Sequence, residues 1–157
     1  MERIDGKHIV AVWLLTSSLV ALLRLATLTP DIVAHLSAWR AALGPFVAAL
    51  LGIVAAWRLF RRGDGVRLAG VVLLLPVIAL SVGPLAYQLD VGPFVRLGIT
   101  GTRTFAAVGS DARLLLILGS GNHVPSGIAI NVATLAAFGI LLASRRPASD
   151  EGERSPT

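Results

Sequence analysis

Two pairs of residues have types and spacing suited to chemistry. In GSGNHVPSG, which runs from Gly119 to Gly127, His123 and Ser126 lie close enough to meet on one turn. A serine hydroxyl beside an imidazole is a nucleophile beside a general base, provided a third group orients the ring. No orienting group is evident in the stretch itself. In TPDIVAH, Asp31 and His35 are four positions apart. On a helix that spacing puts both side chains on one face, as partners in a proton relay or at a metal would be. A zinc site needs three or four ligands. The candidates on the same side of the chain are His35, His123, Asp31, Asp90 and Asp111. No metal and no cofactor is expected from them. The plainer reading of TPDIVAH is a helix start, with Thr29 as cap, Pro30 in the first position and Asp31 in the first turn. Trp39 then anchors that helix at a membrane interface.

Two further polar residues lie inside apolar runs. Arg24 is a charge within the first proposed span, and intramembrane charges are ligand or ion candidates by default. It lies near the helix end, where a long side chain can snorkel to the headgroups. Asn131 lies one turn into the last apolar run. There it can bond across helices or line a polar cavity.

The elements that would hold these residues follow from hydropathy. The chain has 157 residues, 55% of them hydrophobic and 15% charged, against roughly 25% charged in ordinary globular chains. Its mean hydropathy is +0.77. Four runs are apolar enough to span a bilayer: residues 9–28, 41–60, 68–87 and 125–144. Twenty helical residues rise about 30 Å, the thickness of a bilayer core. The composition therefore predicts an all-α integral membrane protein, a bundle of about four transmembrane helices forming one domain over residues 1–144. The tail RRPASDEGERSPT, residues 145–157, is polar and reads as disordered. There is no cysteine, which removes disulfides and thiolate sites.

The basic residues orient these spans. Arg3, Lys7, Arg58, Arg61, Arg62, Arg67, Arg145, Arg146 and Arg154 fall in three segments that share one side if the number of spans is even. The positive-inside rule makes that side the cytoplasm, with both termini there and the protein in the cell membrane. The net charge of +5 does not indicate nucleic acid, because the arginines flank apolar runs. The RRGDG turn makes an antiparallel hairpin of the second and third spans.

Residues 88–124 resist this scheme. Arg96, Arg103, Asp111 and Arg113 make them too polar for an ordinary span. They read as an interfacial, re-entrant or lid segment; the alternative, a fifth span, would put the tail arginines outside. Gly-Pro recurs in LGPFVAALLG (from Leu43), VGPLAY (from Val82) and VGPFVRLGITG (from Val91), and reads as helix entry or a kink. Small residues recur every four positions at Gly44, Ala48, Gly52 and Ala56, and again at Ala129, Ala133 and Ala137. That spacing lets helix backbones approach closely in lipid.

Two resemblances bear on function. Pro125, Ser126 and Gly127 resemble the PSGH motif of the type 2 phosphatidic acid phosphatases, membrane enzymes in which the motif enters a transmembrane helix. The resemblance implies a hydrolase working near the outer face. It stops after three residues: the family's histidine is Ile128 here, and its flanking motifs have no counterpart. The first three spans, with their Arg-rich hairpin, are similar to the membrane bundle preceding the catalytic domain of some membrane-anchored endonuclease/exonuclease/phosphatase proteins. That catalytic domain has no counterpart here.

The sequence thus reads as a small non-catalytic membrane component, structural, accessory or involved in assembly. Its small-residue faces would pack against a second copy or a membrane-protein partner, within the lipid bilayer. The alternatives are an oligomeric channel or transporter subunit built on Arg24, Asn131 and the outer Asp/His set (Asp31, His35, Asp90, Asp111 and His123), and an intramembrane hydrolase using Ser126 and His123.

Overall fold

A computed structural model describes residues 5–27, 36–61, 64–118 and 126–144. Among these residues are four helices and four strands: α1 (Gly6–Thr27), α2 (Leu36–Arg61), α3 (Val66–Leu74), β1 (Ile78–Val82), β2 (Leu85–Thr100), β3 (Arg103–Leu118), β4 (Gly127–Asn131) and α4 (Val132–Ala143). The four-helix, all-α bundle expected from hydropathy is therefore wrong. A four-stranded antiparallel sheet occupies the second half of the chain. Among the described residues two helices, Gly6–Thr27 and Ala41–Arg61, are long and apolar enough to cross a membrane, with mean hydropathies of 2.1 and 1.8.

The first two expected spans are the long helices. α1 begins where Asp5 caps it, its side chain accepting from the Lys7 amide at 3.2 Å. α2 carries Pro45 in its interior and remains one helix. Gly65 lies on α2 itself, where a β-carbon would stand 2.8 Å from the Arg58 β-carbon and 2.9 Å from the Ala55 carbonyl oxygen. That contact folds α3 tightly back on α2.

The third and fourth expected spans each break in half. Helix α3 stops at Leu74, two residues before Pro76, which cannot donate a backbone hydrogen bond and disfavours helix in the residue before it. The β-branched Val77 and Ile78 then lead into β1. In the last run the order is reversed: β4 comes first and α4 follows from Asn131. The two broken runs associate piece by piece. α3 and α4 share one core cluster, and β1 pairs with β4 from Ile78↔Ile130 to Ser81↔Gly127.

The segment expected to be interfacial is a long hairpin. β2 and β3 pair without interruption from Leu85↔Leu118 to Thr100↔Arg103. The other edge of β2 takes β1 at its start (Val82↔Leu85) and β4 at its end (Arg96↔Asn131). Since β1 and β4 also pair, β1, β2 and β4 close a circuit, and β2 must bend to reach both. The bend falls at Gly92, in the left-handed region at φ +79°, followed by Pro93. Gly-Pro has three different roles in this chain: inside α2, in the β1–β2 turn, and at the bend of β2.

Two cores hold the layers together. At one end Val10, Ala11 and Leu14 of α1 meet Ala55, Ala56 and Leu59 of α2, with α3 and α4 closing the cluster. At the other end Ala21, Leu25 and Ala49 pack against Ala112 and Val91 of the sheet. The long helices thus run the height of the molecule, with short helices around one half and the sheet over the other.

Candidate functional site

On either side of the bend at Gly92 the residues of the β2–β3 hairpin point to alternate faces, and the two faces differ in chemistry. Val91 and Ala112, which are opposite one another, face the helices. Gln88, Asp90, Phe94 and Arg96, with Asp111 and Arg113 on β3, line a cavity of about 340 Å³ on the other face. The bend at Gly92 brings Asp90 and Arg96 of one strand together. They form a buried ion pair in which the second guanidinium nitrogen of Arg96 lies 3.4 Å from Asp90 Oδ2. Gln88 Nε2 donates to the same oxygen at 2.6 Å. The Arg96 guanidinium stands 4.8 Å over the Phe94 ring. Burial lowers the Arg96 pKa from its ordinary value; Arg113 lowers it further, and Asp111 opposes the shift.

A second, looser pair lies beside it. Arg113 Nε is 3.9 Å from Asp111 Oδ2, and both side chains are substantially exposed. The other Asp111 oxygen accepts from the Ala112 amide at 2.8 Å. Two carboxylates and two guanidiniums leave the cavity formally neutral. The buried pair is saturated: Asp90 is held by Arg96 and Gln88, which leaves it poorly placed to take a proton from a substrate. Among the described residues no group of three or more His, Cys, Asp or Glu side chains could hold a metal ion.

The candidates read from the sequence do not gather here. Asp31, His35 and His123 lie outside the described residues. Ser126 is exposed just before β4, and its carbonyl accepts from the Gly101 amide at 2.8 Å, tying the start of β4 to the tip of the hairpin. Arg24 donates to the Ser110 hydroxyl of β3 at 3.2 Å. Asn131 is buried at the start of α4. Its side-chain oxygen accepts from the Thr134 and Val95 amides, both at 3.4 Å. Neither Arg24 nor Asn131 lines the cavity.

The small residues of α2 lie on its inner side. Gly52 meets Ser18 of α1, Gly44 meets Leu114 of β3, and Ala48 and Ala56 are buried. Ala137 of α4 is in the core and Ala133 is half-buried. Ala129 is a correction: it lies in β4, opposite Ala79 of β1 and Gly98 of β2, so it forms no helical stripe with Ala133.

The polar lining was present in the sequence as alternation. Gln88, Asp90, Phe94 and Arg96 all occupy even positions, which is the signature of one strand face. Read as charges within an apolar region, they point to an irregular segment. Searches of known protein families, curated proteins and solved structures return no match to this chain.

Proposed function

We propose that the protein is an integral membrane component without catalytic activity, an accessory or assembly subunit anchored by α1 and α2. One observation carries this reading: α2 is built inside out for water. It buries Ala48, Ala49, Gly52, Ala55 and Ala56, and it exposes a continuous stripe of Trp39, Leu43, Phe46, Leu50, Val54 and Trp57. In water the large side chains would be inside. In lipid no hydrophobic force drives them there, and close packing favours small residues between helices. Trp39 and Trp57, at the ends of the stripe, are eighteen residues or five turns apart. They therefore share a face about 27 Å apart along the axis, which fits the two interfaces of a bilayer. Arg61 stacks over the Trp57 ring at 4.3 Å, adding a charge at that end.

The same geometry supports the orientation. Arg58 and Arg61 mark one end of α2. Ser144, which caps α4, lies against Gly6 of α1, so the end of α4 and the start of α1 share one end of the fold. Positive-inside bias then assigns this end to the cytoplasm. The saturated Asp90–Arg96 pair favours a structural over a catalytic role for the cavity.

The test is extraction and labelling. The full chain should stay with membranes through an alkaline carbonate wash and dissolve in mild detergent. Release by the wash would overturn the reading. The chain has no cysteine of its own, so Ser37→Cys and Asp64→Cys, one at each end of α2, can be labelled singly. An impermeant external reagent should modify Ser37→Cys alone; equal labelling of both would refute the span.

A further inference from the structure

We propose that β3 is a pairing edge for a second copy of this chain, joined about a two-fold axis at Ala112. The sheet order ends at β3, so one side of this sixteen-residue strand is paired to β2 and the other has no strand partner among the described residues. A long open edge is a template for another chain unless it is blocked by proline, bulges or repeated charge. β3 contains no proline, and its pairing to β2 runs without a bulge.

The residues of β3 specify the occupant. Two copies meeting antiparallel and centred on Ala112 set Asp111 of each opposite Arg113 of the other. Shifting the centre by one residue in either direction places Asp111 opposite its own copy, or Arg113 opposite its own copy. Like charges directly opposite are destabilising and unlike charges stabilising, so this register is favoured over both neighbours that keep the faces matched. Asp111 and Arg113 can turn to it: their contact within the chain is long and largely exposed, and the Asp111 oxygen facing Arg113 is not the one that accepts from the Ala112 amide.

The same register resolves a second feature. Val108, at 81% the most exposed large apolar side chain among the described residues, falls opposite Leu116 of the other copy, itself 55% exposed. Both lie on the sheet face that carries the helices, so each copy covers the other's apolar residue. The inference stands on edge, charge and exposure and does not depend on the membrane reading. If the sheet does lie at membrane depth, pairing also satisfies backbone groups that lipid cannot.

The test uses cysteine pairs in the full chain, in detergent or in buffer according to where the protein extracts. The double variant Val108→Cys/Leu116→Cys should form a covalent dimer on mild oxidation. Each single variant should not, because like positions then lie about eight residues of strand apart, beyond disulfide reach. For the same reason the two cysteines of one chain cannot join each other. Light scattering should find two copies of the wild-type chain. Asp111→Lys should weaken the dimer by about tenfold or more while its circular dichroism stays unchanged. A wild-type monomer, or a dimer in which the double variant does not cross-link, would overturn the proposal. A dimer unaffected by Asp111→Lys would overturn the register.

Discussion

Gly92 lies directly on the backbone of Ser17. A β-carbon at position 92 would collide with the Ser17 carbonyl oxygen and stand 2.7 Å from its α-carbon. This contact joins the bend of β2 to the middle of α1, and the same residue needs a left-handed φ. Gly101, at the hairpin tip, has φ +59° but nothing within 4 Å. The two glycines therefore separate a conformational cost from a steric one. Gly101→Ala should cost about 1 kcal/mol, the left-handed penalty alone. Gly92→Ala should cost at least about 3 kcal/mol, because backbone cannot move aside as a side chain can. Denaturant unfolding of both variants checks the difference; equal losses would mean that Ser17 does not constrain the bend.

Gly52 makes the opposite case. Its missing β-carbon would meet the Ser18 hydroxyl, with the Ser18 β-carbon at 3.6 Å. A hydroxyl can turn to another rotamer. Alanine also improves helix propensity by about 1 kcal/mol over glycine. Gly52→Ala should therefore be neutral within about 1 kcal/mol. Gly52→Leu should separate α1 from α2, with loss of cooperative unfolding in a detergent melt. If leucine is tolerated, the helices do not pack through this position.

Two of the four expected spans coincide with long apolar helices and two do not, for a physical reason. Hydropathy reports burial or lipid contact and is blind to backbone conformation. α1 and α2 are rich in alanine and leucine, and there the apolar run and the helix coincide. In the third and fourth runs the same apolarity continues across a change of structure. Pro76 marks one change, and Asn131 followed by a helix marks the other. Short apolar runs rich in valine and isoleucine, such as Ile128 to Ile130, do not distinguish strand from helix by periodicity.

The charged segment was legible in the wrong sense. Its charges make a spanning helix costly in lipid. Its cavity-lining residues Gln88, Asp90, Phe94 and Arg96 share one parity along the strand, and that pattern places the cavity. The pairing of Asp90 with Arg96 was not recoverable, since it depends on the bend at Gly92 and so on Ser17, far away in sequence.

Tyr87 gives stability a pH dependence of definite sign. Its hydroxyl donates to the Leu75 carbonyl at 2.8 Å, and burial raises its pKa above the ordinary tyrosine value. The fold thus holds the protonated phenol more tightly than the unfolded chain does. Its contribution is complete below about pH 10, where the unfolded phenol titrates, and is lost as pH rises further. Tyr87→Phe should be about 1 kcal/mol less stable than wild type near neutrality, for the lost hydrogen bond. That gap should shrink above pH 10. Parallel denaturant curves at pH 8 and pH 11 measure it, and a constant gap would show that the phenol is not held in its protonated form.

The Asp90–Arg96 pair decides whether the cavity is held by charge or merely contains it. Asp90 is 2% exposed and Arg96 6%. Removing one partner leaves the other buried and uncompensated, so Asp90→Ala should cost about 3–5 kcal/mol. Arg96→Met should cost less than that, because Gln88 still donates to the stranded carboxylate. Replacing both with apolar residues of similar size removes the desolvation cost together with the attraction. The double variant Asp90→Leu/Arg96→Met should therefore be more stable than Asp90→Ala, and near wild type. A double-mutant cycle by chemical denaturation measures the coupling. Strict additivity would show that the two charges do not depend on each other. A double variant as unstable as Asp90→Ala would show instead that the pair is needed to shape the bend of β2.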